Sequence, residues 1–503
     1  MKKRRVVIIG SGFGGLIAGN LLAKRGHKVT IFESHNMPGG YIAGFKHSGY
    51  YFESGTLSFE SSASVFKAMK DIGVYDRIEF VRQNVGIIYK GFDGSILTYE
   101  ESKKAYYRSF TEYKEQLDSF FSELDRFTGA AEVMSLPMLY LYSGFSFFLA
   151  LVPLILKGGR FMKLMNEYKD LTTSEFLSRY FPKGSKIYNF LYSFGYPDMN
   201  AAYLAANLAG SGINSDYWTV KTGMRSWADT MAESFRKYGG ELRLNSHVDR
   251  ILTSKGTAVG VACNSAEYYA DYVISASDYK KTFLKLLDKP ELMKPDFAEK
   301  LKKAEVSAGF FTVYLGLNLP NLFLQKYLKT PHSIYFGNGE TADIHNNKDE
   351  NFFDKSLLMI YSPSLVNPDH APEGKSSLML QTMVPYGWMK NWGDGDRNRY
   401  MELKKTAMNA MIKRMTALIP GLESLIEYRD AATPLTYERY THNSGGATSS
   451  WNWNPKKNFF GGNMSVNIDT PIKNLFIGSC WAMSIGGIPG ALAAAYMCAK
   501  KIR

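Results

Sequence analysis

Residues 2–40 read KKRRVVIIGSGFGGLIAGNLLAKRGHKVTIFESHNMPGG, and the order of residue types in that stretch decides how the rest of the chain must fold. Arg5 to Ile9 is a short apolar run suited to a buried strand, and Gly10, Gly12, Gly14 and Gly15 follow it without a spacer. A helical pattern begins at once, with Leu16, Ile17, Gly19 and Leu22 on one side, and a second strand, Lys28 to Phe32, ends in Glu33. A strand, a glycine turn, a helix, a second strand and an acid in this register form a Rossmann-type dinucleotide-binding unit of an α/β protein.

Each position has a physical task. Gly10 turns the chain out of the strand, Gly12 lets backbone approach a pyrophosphate, and Gly15 lets helix pack closely on strand. The amides of Phe13, Gly14 and Gly15 open the helix, where unpaired N–H groups and the positive dipole end favour phosphate. Glu33 follows Gly10 by about twenty residues, the distance at which a carboxylate accepts hydrogen bonds from ribose hydroxyls. A carboxylate there repels a 2′-phosphate, so the expected ligand is FAD or NAD rather than NADP.

The next stretch, MPGGYIAGFKHSGYYFESGTLSF (37–59), resembles the segment after the second strand in an FAD-dependent superfamily. That superfamily includes phytoene desaturases, carotenoid isomerases, retinol saturase and the amine oxidases. The resemblance implies that Gly39 and Gly40 continue the loop along the FAD pyrophosphate and ribitol. It also marks a departure, since Tyr41 stands where the family usually has Arg, Lys or Asn.

The far end, NLFIGSCWAMSIGGIPGALAAAYMCAKKI (474–502), reads as a strand from Leu475 to Ile477, a loop through Gly478 and Ser479, and a helix opening near Ile488 to Gly490. Pro489 suits a first helical turn, where its missing amide is not needed. The string GGIPG looks like the C-terminal flavin motif of the carotenoid desaturase and isomerase group, in which Gly487, Ile488 and Pro489 would point a helix start at the flavin. A third fragment, residues 221–251, resembles the family's second flavin segment, with a strand expected to end near Val248 and lay its backbone against adenine. A return strand is expected at Tyr272 to Ser275.

Composition sets outer bounds. With 503 residues, 45% hydrophobic and 21% charged, the chain is globular and long enough for two interleaved domains. Its 33 Tyr and 32 Phe suggest large apolar cavities or interfaces. A net charge of +13 would suit an anionic membrane surface or nucleic acid, but no helix-turn-helix, zinc or RNA-binding pattern accompanies it, so nucleic acid is not expected. Cys263, Cys480 and Cys498 are odd in number and form no CxxC, which argues against a disulfide framework or a metal site. The start passes straight into the first strand without a cleavable apolar segment, so a cytoplasmic protein is expected, peripheral at the inner membrane face.

The membrane expectation rests on Val133 to Leu156, VMSLPMLYLYSGFSFFLALVPLIL, which carries no charge and precedes Lys157, Arg160 and Lys163. Its length could span a bilayer, yet Pro137, Gly144 and Pro153 interrupt it and serines dilute it. A segment lying in the interface, at 133–165, is the reading adopted, with buried helices lining a pocket as the alternative. The domain plan assigns 1–80, 216–285 and 430–503 to a discontinuous FAD-binding domain and 81–215 and 286–429 to an α+β substrate domain. A hairpin is expected around Asp93-Gly94, and strand-like runs begin at Gly309, Ser356 and Ser376.

Acid-base candidates are few: Glu53, and the cluster Arg439, Tyr440 and His442 in ATPLTYERYTHNSGGATSSWNW (432–453). His247 reads as structural, and the chain offers no nucleophile triad. The resemblance therefore implies an FAD-dependent oxidoreductase acting on C–C bonds of a lipophilic isoprenoid such as a carotenoid or retinoid. Desaturation, saturation and cis/trans isomerisation all fit, with quinone or oxygen as an electron acceptor. The alternatives are an amine oxidase, for which Trp451 and Trp453 are candidate cage members although they read as packing residues, and a non-catalytic flavin-containing membrane protein.

Overall fold

The computed structural model describes residues 2–89, 92–93, 98–129, 133, 136, 138–194, 198–209, 216–337, 339, 342–463 and 465–502. Five strands from distant parts of the chain form one parallel sheet in the order Leu475–Ile477, Tyr272–Ser275, Arg5–Ile9, Lys28–Phe32 and Glu241–Arg243. In the central strand Val7 lies between Val273 and Thr30. Residues 6–9 are apolar without alternation because the sheet is covered on both faces. The helices Phe13–Lys24, Met224–Lys237 and Gly487–Lys501 join the same core.

A seven-stranded sheet forms the other half, in the order Ile426–Ala432, Gly309–Leu317, Ser376–Val384, Leu358–Tyr361, His332–Tyr335, Val85–Tyr89 and Phe92–Asp93. Its pairs are antiparallel except His332–Tyr335 with Val85–Tyr89. Side chains alternate across it. Phe311, Val313, Leu315, Leu378 and Leu380 pack with the helix Arg397–Met415, whereas Tyr314, Met379 and Tyr361 pack with Tyr50, Phe52 and Tyr437. The second face is therefore the one turned toward the nucleotide half.

Several expectations shift. Asp93 pairs with Ile88 inside the second strand of its hairpin, so the chain reverses before it; Gly94 lies outside the described residues. The planned boundary at 285/286 falls short, because Leu287, Met293, Leu301 and Ala304 belong to the parallel-sheet core. The boundary at 429/430 cuts the strand Ile426–Ala432. Much of the aromatic excess is spent on packing: Phe110, Phe120, Phe121, Phe176, Phe181 and Phe190 are buried together in a helical cluster beside the large sheet.

The uncharged segment divides at Gly144. Upstream, Leu141 is buried in the nucleotide core, and the Ser64 hydroxyl accepts from the Met138 amide at 3.1 Å. Pro137 lies outside the described residues. Downstream, one helix, Phe145–Tyr168, runs through Pro153 and on past Leu156. Gly158, Leu164 and Tyr168 are buried, but Phe145 and Leu156 are each 78% exposed, and Phe148, Leu149, Val152 and Ile155 also face outward.

Candidate functional site

The glycine turn and the terminal helix meet in space. Gly10 has φ +94°, which only a residue without a side chain adopts cheaply, and its carbonyl lies where a Cβ on Gly15 would have to sit. A Cβ on Gly14 would overlap the carbonyl oxygen of Gly478, so the start of the first helix is pressed against the loop after the last strand. Gly12 differs: a Cβ there meets nothing within 4 Å. The open space lies at the start of Phe13–Lys24, whose first turn has neither a side-chain cap nor an acidic residue. Those first-turn amides remain available for phosphate, and the residues fit a bound dinucleotide.

Glu33 is anchored by the chain itself. Its Oε2 accepts from the Ser11 amide at 2.8 Å and from the Ser11 hydroxyl at 2.7 Å, and its Oε1 accepts from the His35 amide at 2.9 Å. The Ser34 hydroxyl also reaches Oε1 at 3.3 Å, so the about four acceptor directions of the carboxylate are in use and a ribose hydroxyl would take the place of this longest, rotatable contact. Ser11 is a site residue that motif reading passed over, although it stands inside the glycine cluster. Gly39 follows the same path: its amide donates to the Ser11 carbonyl at 3.0 Å, and a Cβ on Gly40 would touch the Gly12 Cα at 3.3 Å.

Tyr41 does not stand in for a phosphate-binding cation. Its buried hydroxyl donates to the Ala447 carbonyl at 2.9 Å, tying the loop after Gly40 to residues 446–447, and burial raises its pKa. Ser479 likewise spends its hydroxyl, on the Ser277 carbonyl at 2.9 Å, leaving only backbone to offer a ligand. The terminal helix opens at Gly487, with Ile488 and Pro489 in its first turn and no capping side chain. Val248 begins the strand Val248–Ser254 rather than ending one, because residues 245 and 246 donate their amides to the His35 and Glu33 carbonyls and break the chain between two sheets.

The structure separates the acid-base candidates. Glu53 is buried; it accepts from the Tyr51 hydroxyl at 2.8 Å and from the Met224 amide at 3.1 and 3.2 Å. Burial outweighs these donors and pushes its pKa up to about 8, so the carboxyl is largely neutral at pH 7. Arg439 lies over the Tyr440 ring, whose other neighbour is His35 at 5.4 Å between centroids. His442, in a left-handed conformation after the helix Pro434–Thr441, lies 5.5 Å from His247, and burial with that neighbour lowers its pKa. Tyr440 is 52% exposed. These three residues thus sit by the ribose acid and its following loop, and nothing brings them to Glu53.

The inward face of the large sheet supplies groups that sequence reading missed. The Gln381 amide donates to the Thr312 hydroxyl at 2.9 Å, and Thr312 is also 2.7 Å from the Tyr437 hydroxyl. Tyr437 is 6.0 Å from Tyr41 between rings, which joins this network to the nucleotide loop. His332 is buried with neither ring nitrogen paired among the described residues, and burial lowers its pKa to about 4. Trp451 is buried, donates to the Trp481 carbonyl at 2.9 Å and packs against Phe459, so it is a core residue rather than a cage wall. Trp453 packs on Tyr203.

Comparison with known proteins agrees with this geometry. The chain is 24% identical to an all-trans-retinol 13,14-reductase of Danio rerio, over 99% of this chain and 85% of that protein. It is 26% identical to a 4,4′-diapophytoene desaturase of a Methylomonas species, over 89% and 85%, and 25% identical to a chloroplastic prolycopene isomerase of Daucus carota, over 88% and 71%. A solved putrescine oxidase superposes with a TM-score of 0.65, covering 99% of this chain and 98% of that one at 16% identity, a likeness of fold. The family described as flavin containing amine oxidoreductase matches residues 13–503. FAD is accordingly the cofactor of this chain, and the open helix start behind the glycine turn fits it. The chain belongs to the flavin-containing amine oxidoreductase family, and it is a flavin-dependent oxidoreductase.

Proposed function

We propose that the protein acts on C–C bonds of a long lipophilic isoprenoid while resting on a bilayer surface. The observation that carries this reading is the similarity, over 88% or more of this chain, to three enzymes named for a retinoid or a carotenoid. When bound, FAD supplies the two-electron chemistry, and the chain supplies position and surroundings. The helix starts at Phe13 and Gly487 hold the phosphate and flavin ends, Glu33 holds ribose, and Tyr41 clamps the intervening loop against residues 446–447.

The second contribution is electrical. Burial keeps Glu53 protonated up to about pH 8, raises Tyr314 and Tyr361, and holds His332 neutral down to about pH 4. At neutral pH these groups present no fixed charge, while the Gln381 amide donates to the Thr312 hydroxyl, which also meets the Tyr437 hydroxyl. A neutral aromatic face suits a hydrocarbon substrate and is a poor counter-ion for a protonated amine. The outward apolar stripe of Phe145–Tyr168 supports contact with the membrane in which such a substrate dissolves. Electrons leave to a quinone or oxygen if the substrate is oxidised.

The test is product mass after anaerobic incubation of the FAD-loaded protein with an acyclic carotenoid and with a retinoid. A product two hydrogens lighter marks desaturation, one two hydrogens heavier with a reductant marks saturation, and an isobaric product with altered retention marks isomerisation. Recovery of every isoprenoid unchanged, with turnover of a polar amine, overturns the proposal.

A further inference from the structure

The helix Phe145–Tyr168 changes character along its length. Its first three turns show Phe145, Phe148, Leu149, Val152, Ile155 and Leu156 to solvent, and the following turns expose Lys157, Arg160 and Lys163. Where the apolar part ends, a cavity of about 210 Å³ opens between the helix and the turn Asp125–Phe127, lined by Arg126, Thr128, Gly129, Lys157, Arg160 and Phe161. Three cationic side chains thus border one recess directly below an exposed apolar stripe.

The recess is built around one fixed cation. Arg126 donates to Glu123 at 2.6 Å, to Glu167 at 2.8 Å and to the Tyr168 hydroxyl at 3.0 Å. Those two carboxylates hold the guanidinium in place and offset its charge, so the positive charge offered to an anion comes from Lys157 and Arg160 on the facing helix. The ring of Phe161 adds an apolar wall. A phosphodiester joined to a glycerol and acyl chains has this combination of features in the same order: anion, short polar link, hydrocarbon.

We infer that this recess seats the phosphate headgroup of an anionic phospholipid, fixing the depth and direction in which the apolar stripe enters the acyl layer. The inference rests on the bilayer contact proposed above. A helix lying in the interface buries its apolar face to about 5–10 Å, which places a basic collar on the adjoining turns at headgroup level. Without a headgroup anchor an apolar stripe alone leaves the rotation of the protein on the membrane undefined. With it, the same face of the molecule always meets the lipid.

The FAD-loaded full chain is sedimented with phosphatidylcholine vesicles and with vesicles that also contain phosphatidylglycerol. Wild type binds both and prefers the anionic ones. Lys157→Ala/Arg160→Ala lowers binding to anionic vesicles by about 30-fold, the effect of two cations that each reach the surface, and leaves neutral vesicles unaffected. Lys302→Ala/Lys303→Ala removes the same charge from the end of the helix Pro295–Lys303 and changes the preference by less than about threefold. An undiminished preference in the first variant, or an equal loss in the second, overturns the recess as a headgroup site. Val152→Asp/Leu156→Asp abolishes binding to both vesicle types; a wild type that binds neither, or a change of oligomeric state in this variant in place of lost vesicle binding, overturns the bilayer contact itself.

Discussion

Two apolar helices in this protein meet opposite fates. In Phe13–Lys24 every residue but Lys24 is buried, whereas in Phe145–Tyr168 only Gly158, Leu164 and Tyr168 are. Apolarity does not separate them. The first helix is enclosed because Gly14, Gly15 and Gly19 carry no side chains, so the Gly478 loop, the Gly10 turn and the side chains of Ile31 and Phe235 close in from several sides. The second carries Phe, Leu, Ile and Val at the positions where a partner backbone would have to approach, and no described element covers them. Close packing needs small residues at the contact; a stripe of large ones at the surface needs another solvent.

Giving the enclosed helix a side chain should have the largest effect. Gly14→Val drives its Cβ into the Gly478 carbonyl, so a loss of more than about 4 kcal/mol and no soluble yellow protein are expected; a stable, coloured variant would contradict the enclosure. Gly12→Leu sharpens the point, because its side chain enters empty space. The variant should fold with a thermal midpoint close to wild type, yet purify without flavin, as read from its absorbance. On the other helix, Ile155→Asp should shift stability by no more than about 0.5 kcal/mol in denaturant titration, because the residue is 65% exposed.

Smaller effects come from buried polar groups near the seam between the halves. Glu53 has a folded pKa raised to about 8, so its contribution is fully present below its unfolded value near 4.5 and is lost as pH rises through about 8. Thermal stability should therefore decline across that window, and Glu53→Gln should flatten the decline; an unchanged slope would remove Glu53 from the seam's pH response. His332 has nothing to lose, since neither nitrogen is bonded among the described residues. His332→Leu should raise stability by about 1 kcal/mol in the substrate-free protein, and a drop would show that the imidazole is paired in solution.

How far the chain could be read in advance follows from the range of the interactions. The strands Arg5–Ile9, Lys28–Phe32, Tyr272–Ser275 and Leu475–Ile477 stand where local pattern placed them, because glycines and an acid punctuate unbroken apolar runs. The role of Gly14 was hidden, since its contact, Gly478, lies at the other end of the chain. Val248 was placed at a strand end because the amides of Asn245 and Ser246, which tie that loop to residues 33–35, leave no local signature. Residue type alone singles out Arg439, Tyr440 and His442, and only the fold shows them beside His35 and His247 rather than Glu53. The uncharged run from 133 to 156 looked continuous, but Gly144, at φ +57°, separates a segment that docks on the core from the helix that faces outward.

Whether this flavin oxidoreductase fold serves a hydrocarbon substrate is read from the visible flavin band of the FAD-loaded protein, followed under anaerobic conditions against two panels, isoprenoids and polar amines. An isoprenoid is expected to bleach the oxidised flavin, or to restore the band of the reduced one, and amines to do neither. Bleaching by an amine with no response to any isoprenoid would contradict a hydrocarbon substrate.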